Sequence, residues 1–427
     1  MRSINEMKFH IGQKVRIYPS YAQKRIIAKS DGIERYVYNK LVALHEERYR
    51  LQQVNVYCEP VENRLRFINT LLSSKKELCN LIPFVDDPEI DSLAIDNAYI
   101  NYRAAWNNYI KNPAAGIPVF HKKGHDKAYH TNPHYKKDAR YISDCNARIL
   151  DDHHIQLPKL GRIRFAGSDM FRSIMYSTTE SRIGRVTISM DSVGRYYASF
   201  QIGSNEPFYQ DLPKTGKSAG YDLGIRRLYT DSDGRFETLP DYYKRAMGKL
   251  AKEQRKLSRR ATRAKKDGRR LSESKNYQKQ RVRVALIHAR TANQRKDFLN
   301  VISKREVKNH DALFMEDVSS KDLLMRYANM GKEYGHNFSR ALADKSWGIF
   351  TTMLCYKAEF YGRKFAKVDA SDTTNTCSSC GYLADLSITD REWICPVCDA
   401  KHDRDRNAAV NILRRGTTSG AGMATHL

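Results

Sequence analysis

The sequence predicts a multidomain α+β protein, and three observations support this fold class. The chain has 427 residues, which is enough for about two to four domains. Its apolar residues alternate with a period of two near the N-terminus, follow a helical period over residues 21–112 and return to a period of two afterwards. Four of its eight cysteines are grouped between positions 377 and 398, which predicts a metal site near the C-terminus.

The first third of the chain predicts a strand followed by helices. Residues 11–17 alternate between apolar and polar side chains and the pattern stops at Pro19, as expected for a half-buried strand. Helical spacing follows, and after a proline- and glycine-rich stretch the sequence breaks into short strands separated by turn residues. We therefore predict a β-domain, formed by residues 1–20 and 113–212, into which a helical lobe at residues 21–112 is inserted.

An antiparallel hairpin is predicted inside the second part of this β-domain. The residues that suggest it alternate along one strand and continue after a turn: Val186, Ile188 and Met190, then Tyr197, Ser199 and Gln201. A further β pattern begins at residue 218, and apolar residues between 284 and 302 predict a long helix that leads into an apolar strand at 312–315.

The chain carries a strong excess of positive charge. Lys and Arg number 74 against 48 Asp and Glu, which gives a formal net charge of +26 and a pI near 9.6. Nucleic acid is the expected partner of so basic a protein. An anionic membrane is the weaker alternative, because no hydrophobic run could span a bilayer and the N-terminus lacks a signal-peptide pattern. The four scattered cysteines fit a reducing cytoplasm.

The most basic segment is residues 244–271, with thirteen Lys and Arg against two acids. A charge run is usually only a solvated surface, but this many like charges repel one another unless a polyanion neutralises them. The segment is therefore predicted to bind nucleic acid, with an affinity that falls steeply as salt rises. The predicted contacts are Lys252, Arg255, Lys256, Arg259, Arg260 and Arg263.

Two Cys-x2-Cys pairs, fourteen residues apart, predict a zinc site. Each pair makes a tight turn that places two sulfurs on one side, and four thiolates match the tetrahedral coordination of zinc. Because protein would fill all four positions, the expected Zn²⁺ is structural and not catalytic. His402 is expected to be solvated or hydrogen-bonded and not a fifth ligand. The predicted ligands are Cys377, Cys380, Cys395 and Cys398.

Three acids each interrupt the pattern of a predicted element. Asp222 lies in a strand next to Gly220, which leaves room for a close approach; Glu316 ends an apolar strand; and Asp405 opens a helix. Phosphodiester cleavage by two cations needs carboxylates that converge where metals lie about 3.5–4 Å apart. Taken one at a time, each acid also has an ordinary explanation: a turn acid, a strand-end acid and a helix N-cap.

The order of these motifs resembles a known family. GYDLG with a following SDG, then MEDVSS, DTTNTCSSCG, CPVC and DRDRNAAVNIL resemble the RuvC-type nuclease of the transposon-encoded TnpB family and of related compact type V CRISPR effectors. VRIYPSYAQ is similar to the family's opening segment, and GIPVFHKK and LPKLGRIRF resemble its middle β region. Two features depart from the family pattern: Tyr221 stands where an aliphatic residue is usual, and Thr373-Thr374 where Thr-Ser is common.

The resemblance implies a more detailed architecture. It places a ribonuclease H-like (RuvC) α/β nuclease domain at residues 213–375 and 401–415, with a zinc-ribbon insert that binds target nucleic acid at residues 376–400. It also implies that the β-domain is a β-barrel-like wedge domain and the helical lobe a recognition lobe. Residues 416–427 are small and polar and are predicted to be disordered.

The resemblance also implies an activity. Asp222, Glu316 and Asp405 would bind two catalytic Mg²⁺ ions, with Arg404 near the scissile phosphate; Asp405 is preferred to Asp403 because it occupies the D-x-N-A-A position. The expected function is that of an RNA-guided DNA endonuclease, whose partners are a guide RNA and a target double-stranded DNA that carries a short adjacent motif. We expect a cytoplasmic monomer with no membrane partner.

Three alternatives remain open from the sequence. A guide-dependent repressor that binds DNA without cutting it would not need all three acids. A transposase also uses a ribonuclease H-like acidic triad, but the cysteine ribbon and the guide-binding segments fit it poorly. A zinc-ribbon protein that only binds nucleic acid explains the charge and the cysteines, but leaves the acid motifs as accidents.

Overall fold

The computed structural model of the chain describes residues 4–53, 58–124, 127–137, 139, 141–177, 179–208, 211–224, 226–317, 346–369, 371–387 and 390–418. The chain divides into two compact units, Met1–Phe208 and Tyr209–Leu427. Both contain helices and strands, so the multidomain α+β class is confirmed. Within the ranges just given, no helix is long and apolar enough to cross a membrane.

The first unit combines a seven-stranded antiparallel sheet with helices. Its strands are β1 (Phe9–Tyr18), β2 (Ala128–Thr131), β3 (Arg148–Asp151), β4 (His154–Leu157), β5 (Gly161–Ala166), β6 (Ser181–Met190) and β7 (Tyr196–Ser204). Its helices are α1 (Tyr21–Gln52), α2 (Glu59–Ser73), α3 (Lys75–Asn80), α4 (Ser92–Lys111) and α5 (Asp169–Met175). The strand order is β2-β6-β7-β1-β5-β4-β3, and in the sequence α1–α4 come between the central strand β1 and the other strands of the sheet.

A capping box starts α1 directly after β1. The Ser20 hydroxyl accepts the backbone N–H of Gln23 at 3.3 Å, and the Gln23 side-chain oxygen accepts the Ser20 N–H at 2.9 Å. The Gln23 side-chain amide also donates to the carbonyl oxygens of Leu160 and Arg162, each at 2.9 Å. The first turn of α1 is therefore fixed both to the end of β1 and to β5.

The predicted hairpin is present as β6 and β7, and its pairing shows which face of β7 is buried. Val186 pairs with Phe200, and Ile188 pairs with Ala198. Paired residues share one face of a sheet, so Phe200 and Ala198 face the core, whereas Ser199 lies on the other face. Tyr197, Ser199 and Gln201, the alternating residues that suggested the second strand, therefore lie on the face of β7 opposite to Ala198 and Phe200.

The second unit contains a five-stranded sheet, a separate two-stranded ribbon and four described helices. The sheet strands are β8 (Ser218–Leu223), β9 (Tyr229–Asp231), β10 (Phe236–Glu237), β11 (Ala312–Glu316) and β12 (Lys364–Val368), and the ribbon consists of β13 (Glu392–Ile394) and β14 (Lys401–Asp403). The helices are α6 (Tyr242–Lys266), α7 (Lys275–Asn309), α8 (Trp347–Phe360) and α9 (Arg404–Thr418).

Helices cover both faces of the five-stranded sheet, whose order is β10-β9-β8-β11-β12. β8, β11 and β12 are parallel neighbours, whereas β9 and β10 extend the sheet antiparallel. Met315 packs in a core with Leu299 of α7 and Phe350 of α8, whereas the adjacent Phe314 packs with Ile412 of α9. The second unit therefore has three layers, in the order helix, sheet, helix.

Two glycines allow α9 to lie directly on the sheet. A Cβ atom at Gly220 in β8 would overlap the carbonyl oxygen of Ala409 and lie 2.6 Å from the backbone nitrogen of Leu413. A Cβ atom at Gly416 would overlap the ring of Phe314 in β11. The backbone of α9 is thus close to β8 near the middle of the helix and to β11 near its end, as the expectation of a close approach at Gly220 requires.

The last described helix extends into the predicted C-terminal tail. α9 continues to Thr418, so the prediction of disorder is wrong for residues 416–418, whose helix is held by the contact of Gly416 with Phe314. Residues 419–427 of the predicted tail, and residues 318–345 of the predicted nuclease domain, lie outside the described residues.

We predict that Gly220→Ala lowers the thermal midpoint of the second unit, because the new methyl group must push α9 away from β8. Overpacking of this kind costs about 1–3 kcal/mol. Gly248→Ala is the matched control: it lies in α6 with open space around it, where alanine should gain about 0.5–1 kcal/mol. Calorimetry measures both variants, and an unchanged midpoint for Gly220→Ala would contradict the close packing.

Candidate active site and metal centre

Two of the predicted acids lie side by side at the carboxyl ends of parallel strands. Tyr221 of β8 pairs with Met315 of β11, so the next residues, Asp222 and Glu316, are also neighbours. The backbone N–H of Leu223 donates to Oε1 of Glu316 at 3.0 Å and orients that carboxylate. This edge of a parallel sheet is where α/β proteins bind ligands.

The third acid reaches the same edge from the first turn of α9. The carboxylate of Asp403, at the N-cap position, accepts the backbone N–H of Arg406 at 2.9 Å. The ordinary explanation of Asp405 as a helix cap is therefore wrong, because Asp403 fills that role. Asp405 instead faces Arg391, whose guanidinium lies 3.2 Å from Oδ1, and its charge acts on Asp222.

The acids are mutually repulsive. Burial raises the pKa of Asp222 well above its usual value, the charges of Glu316 and Asp405 raise it further, and Arg404 opposes the shift. Burial also raises the pKa of Glu316 to about 7, although the hydrogen bond from Leu223 lowers it. A site in which carboxylates resist ionisation is stabilised by an added positive charge. The structure thus brings together the three predicted acids and Arg404.

Sequence reasoning missed Arg391. It precedes β13 and its backbone carbonyl accepts the N–H of Arg404 at 2.8 Å, while its side chain pairs with Asp405. The ribbon strand after it begins with a polar residue, so no periodic pattern distinguishes Arg391 from any solvated arginine. Only folding brings its guanidinium to Asp405, which is fourteen residues away in the sequence.

The four predicted zinc ligands form a separate cluster. The sulfurs of Cys377, Cys380, Cys395 and Cys398 all lie within 4.8 Å of one another. Among the described residues they are the one group of three or more candidate ligands close enough to share an ion. Asp222, Glu316 and Asp405 do not form such a group. Thiolates are the donors that zinc prefers in closed structural sites.

Backbone geometry shapes this cluster. Gly381 has φ +85° and Asp399 has φ +54°, and their N–H groups donate to the carbonyls of Cys377 and Cys395 at 2.9 and 3.0 Å. Burial opposes ionisation of Cys377, yet N–H groups of Cys380 and Ser379 and the ring of His402 lower the pKa of its thiol to about 5.

The side chain of His402 is a neighbour of the cluster. Its Nε2 atom lies 3.1 Å from the Cys377 sulfur, and its ring packs against Trp393. This is the geometry of a donor to a thiolate, in keeping with the expectation that His402 is hydrogen-bonded and not a fifth ligand.

Three family models match the chain. They are HTH_OrfB_IS605, described as "Helix-turn-helix domain", at residues 7–53; OrfB_IS605, described as "Probable transposase", at residues 199–326; and Cas12f1-like_TNB, described as "Cas12f1-like, TNB domain", at residues 347–412. The first description does not fit the structure, because residues 9–52 form a strand and a single long helix.

Individual relatives agree with these matches. The chain is 36% identical over 238 residues, 55% of its own length and 54% of the relative's, to "Putative RNA-guided DNA endonuclease" of Streptomyces pristinaespiralis. It is 24% identical over 434 residues, covering 96% of this chain and 74% of the relative, to "TnpB-like protein L79" of Acanthamoeba polyphaga mimivirus. The resemblance to the TnpB family is confirmed. The chain spans about half the length of the Streptomyces relative.

The fold of the chain is also similar to a solved structure. The protein chain of "Cryo-EM structure of the Cas12f1-sgRNA-target DNA complex" superposes with a TM-score of 0.53 at 13% sequence identity, covering 95% of this chain and 98% of that one. At this identity the likeness supports a common fold.

The basic helix α6 presents only part of the predicted contact set to solvent. Lys252, Arg255, Arg259 and Arg263 are exposed and follow one another at helical spacing. Lys256 lies 2.8 Å from Glu253, and Arg260 donates to the carbonyl of Asn276 at 2.8 Å. The last two cations therefore also support the structure, and nucleic-acid binding by all six stays a prediction.

We predict that Glu316→Gln makes the stability of the magnesium-free protein less dependent on pH. Because the folded-state pKa of Glu316 is raised from 4.5 to about 7, its contribution to stability is present below pH 4.5 and is lost as pH rises through about 7. Glutamine can keep the hydrogen bond from Leu223 but cannot ionise.

Thermal midpoints between about pH 5 and about pH 8 test this prediction. The midpoint of Glu316→Gln should fall less over this range than that of the wild type. Asp233→Asn, a change of an acid in an exposed turn, should leave the wild-type slope unchanged. Equal slopes for wild type and Glu316→Gln would contradict the assigned electrostatics.

Proposed function

We propose that this chain is an RNA-guided DNA endonuclease that cleaves DNA by two-metal-ion phosphodiester hydrolysis at a single site. The observation that carries the proposal is the meeting of Asp222, Glu316 and Asp405 at the carboxyl edge of the second sheet, where burial opposes the ionisation of Asp222 and Glu316, and the charges of Glu316 and Asp405 further oppose that of Asp222. The name of the Streptomyces relative supports the activity.

The donor set fits Mg²⁺, because hard cations prefer carboxylate oxygens and leave other positions to water and substrate phosphate. Asp222, Glu316 and Asp405 would hold two ions, in agreement with carboxylates that are not all close enough to share a single ion. Bound Mg²⁺ would supply the charge that stabilises the attacking and leaving oxygens of an in-line displacement.

The chain's own residues prepare this site. The N–H of Leu223 holds the Glu316 carboxylate in place, and the cap at Asp403 fixes the first turn of α9, which carries Asp405. Arg391 balances the charge of Asp405 in the metal-free protein. Arg404, next to Asp405 and close enough to act on Asp222, is placed to neutralise a phosphate that approaches the acids.

We assign the remaining parts by the same proposal. The three-layer unit corresponds to a ribonuclease H-like, RuvC-type nuclease domain, and the cysteine ribbon to a zinc-bound insert that helps load target DNA. In the first unit, the sheet corresponds to a β-barrel-like wedge domain and α1–α4 to a recognition lobe. A net charge of +26 suits a guide RNA and a target double-stranded DNA as partners, and the expected state is a cytoplasmic monomer.

We predict that Asp222→Ala abolishes DNA cleavage and leaves guided DNA binding nearly intact. Loss of a metal-binding carboxylate removes several kcal/mol of transition-state stabilisation, or a rate factor of about 10³ or more. The protein purified with its bound RNA is assayed with Mg²⁺ for cutting and by gel shift for binding.

The matched control is Asp233→Ala, which removes an exposed acid from the turn between β9 and β10 and should cut at the wild-type rate. Full cutting by Asp222→Ala would contradict the proposed site. Guided binding by the wild type without Mg²⁺-dependent cutting would instead indicate a repressor.

We predict one Zn²⁺ per chain, lost in Cys395→Ser. The substitution removes a thiolate from the four-sulfur cluster, so the ribbon loses its cross-link. Elemental analysis measures the zinc, and limited proteolysis of residues 376–400 measures the ribbon. Cys355→Ser, a half-buried cysteine in α8, should keep both zinc and protease resistance. Wild-type protein without zinc would contradict the assignment.

A further inference from the structure

An exposed phenylalanine stands beside the proposed active site. Phe236, in the edge strand β10, is 53% exposed, and the guanidinium of Arg227 lies over its ring at 4.0 Å from the centroid. A single exposed aromatic residue is common on protein surfaces and needs no explanation. The position of this one in the sheet is what points to a ligand.

Phe236 lies in the same row of the sheet as Asp222. Asp222 pairs with Thr230 of β9, and Thr230 pairs with Phe236. Paired residues project from one face, so the ring and the carboxylate are on the same side of the sheet. Two strand spacings separate them, which is about 10 Å. Thr230 between them is buried and Phe236 is exposed, so this face of the sheet reaches solvent at Phe236.

Two contacts tie this edge to the first turn of α9, where Asp405 lies. The Arg227 guanidinium is 3.9 Å from the carboxylate of Asp403. A Cβ atom at Gly234, in the turn between β9 and β10, would lie 3.2 Å from Cδ of Arg406. The Arg227–Phe236 pair therefore flanks the three acids on the β10 side.

We propose that Arg227 and Phe236 form a base-stacking shelf for the DNA strand that is being cut, a proposal that rests on the proposed nuclease function. Aromatic rings and guanidinium planes stack on any nucleobase, so the shelf would hold a single strand without reading its sequence. At roughly 3.4 Å per nucleotide along a stacked strand, about 10 Å places the held base about three nucleotides from the scissile phosphate.

The cut strand is the occupant that the geometry favours. Any strand cleaved by the carboxylates must pass the same edge of the sheet, and its phosphates are repelled by three acids. Arg227 supplies a cation at that edge and Phe236 a surface for a base, so together they would hold the strand against this repulsion. A double helix would not fit the same role, because its bases are stacked on one another and not on protein.

A double-mutant cycle, in which a substitution at Phe236 is combined with the removal of one base from the DNA, tests the shelf. The complex of full-length protein with its co-purified RNA cuts target DNA in which single abasic sites are placed in turn along the cleaved strand. Phe236→Ala should slow cutting of intact DNA about 10-fold or more, whereas Phe236→Trp should retain it. At one position, an abasic site should slow cutting by the wild type as much as Phe236→Ala slows cutting of intact DNA. The same abasic site should not slow Phe236→Ala further.

Controls keep the result specific. Tyr356→Ala removes another exposed aromatic residue, in α8, which is 48% exposed and has the Lys357 ammonium 5.9 Å from its ring centroid, and should cut at the wild-type rate. Phe236→Ala should keep the wild-type thermal midpoint because its ring is half exposed. Wild-type cutting by Phe236→Ala, or additive effects of the substitution and every abasic site, would overturn the shelf. Loss of co-purified RNA from Phe236→Ala would assign the residue to the guide and would overturn it as well.

The shelf and the nuclease proposal fail in different ways. If the wild type cuts and Asp222→Ala does not, an unaffected Phe236→Ala overturns only the shelf. If no Mg²⁺-dependent cutting occurs, the nuclease function fails. The shelf is then judged on guided binding, with a fluorescent base analogue placed about three nucleotides from the expected cut. The Asp222→Ala variant should quench this base, whereas the double variant Asp222→Ala, Phe236→Ala should not. Equal fluorescence in those two proteins overturns the shelf.

Discussion

The close contact between α9 and β8 is the constraint on which the candidate site depends. Because Gly220 has no side chain, the helix backbone lies against the strand that carries Asp222. β14 runs directly into α9, and the cap at Asp403 fixes where the helix begins. The first turn of α9 is therefore held at the carboxyl end of β8. A helix displaced by one side chain would move Asp405 away from the acids of β8 and β11.

Burial of like charges is unfavourable, and the opposite face of β8 helps to stabilise the strand that carries them. There the carboxylate of Glu306 accepts the phenol O–H of Tyr221 at 3.0 Å and that of Tyr229 at 2.8 Å, and Arg305 lies 2.8 Å from it. Both strands of the β8–β9 pair are thus bonded to α7. This arrangement also explains why a tyrosine stands where the family usually has an aliphatic residue: its ring fills the core and its hydroxyl satisfies a buried acid.

Features that depend on local patterns could be predicted, whereas those that depend on contacts between distant residues could not. The strand that ends on Glu316 and the spacing of the four cysteines can be recognised from residues that are close together in the sequence. The core face of β7 could not be read from the sequence because tyrosine is both apolar and polar, so Tyr197 looks as suitable for the core as Ala198. Arg391 could not be found because only folding brings it to Asp405. The departure at Thr373-Thr374 matters little, since Asn411 and Asn407 bond to the backbone carbonyls of these residues.

The cysteine ribbon and the acids are separate in chemistry but continuous in structure. Glu392 of β13 pairs with Asp403 of β14, the residue that caps α9, and the carbonyl of Arg391 accepts the N–H of Arg404. The side chain of Asn407 in α9 in turn accepts the N–H of Ser378, beside the first ligand cysteine. A metal held by the four thiolates would do no chemistry itself, because protein would fill all four coordination positions. It would fix the ribbon from which Arg391 reaches Asp405, and so determine where the third acid and its counter-charge lie.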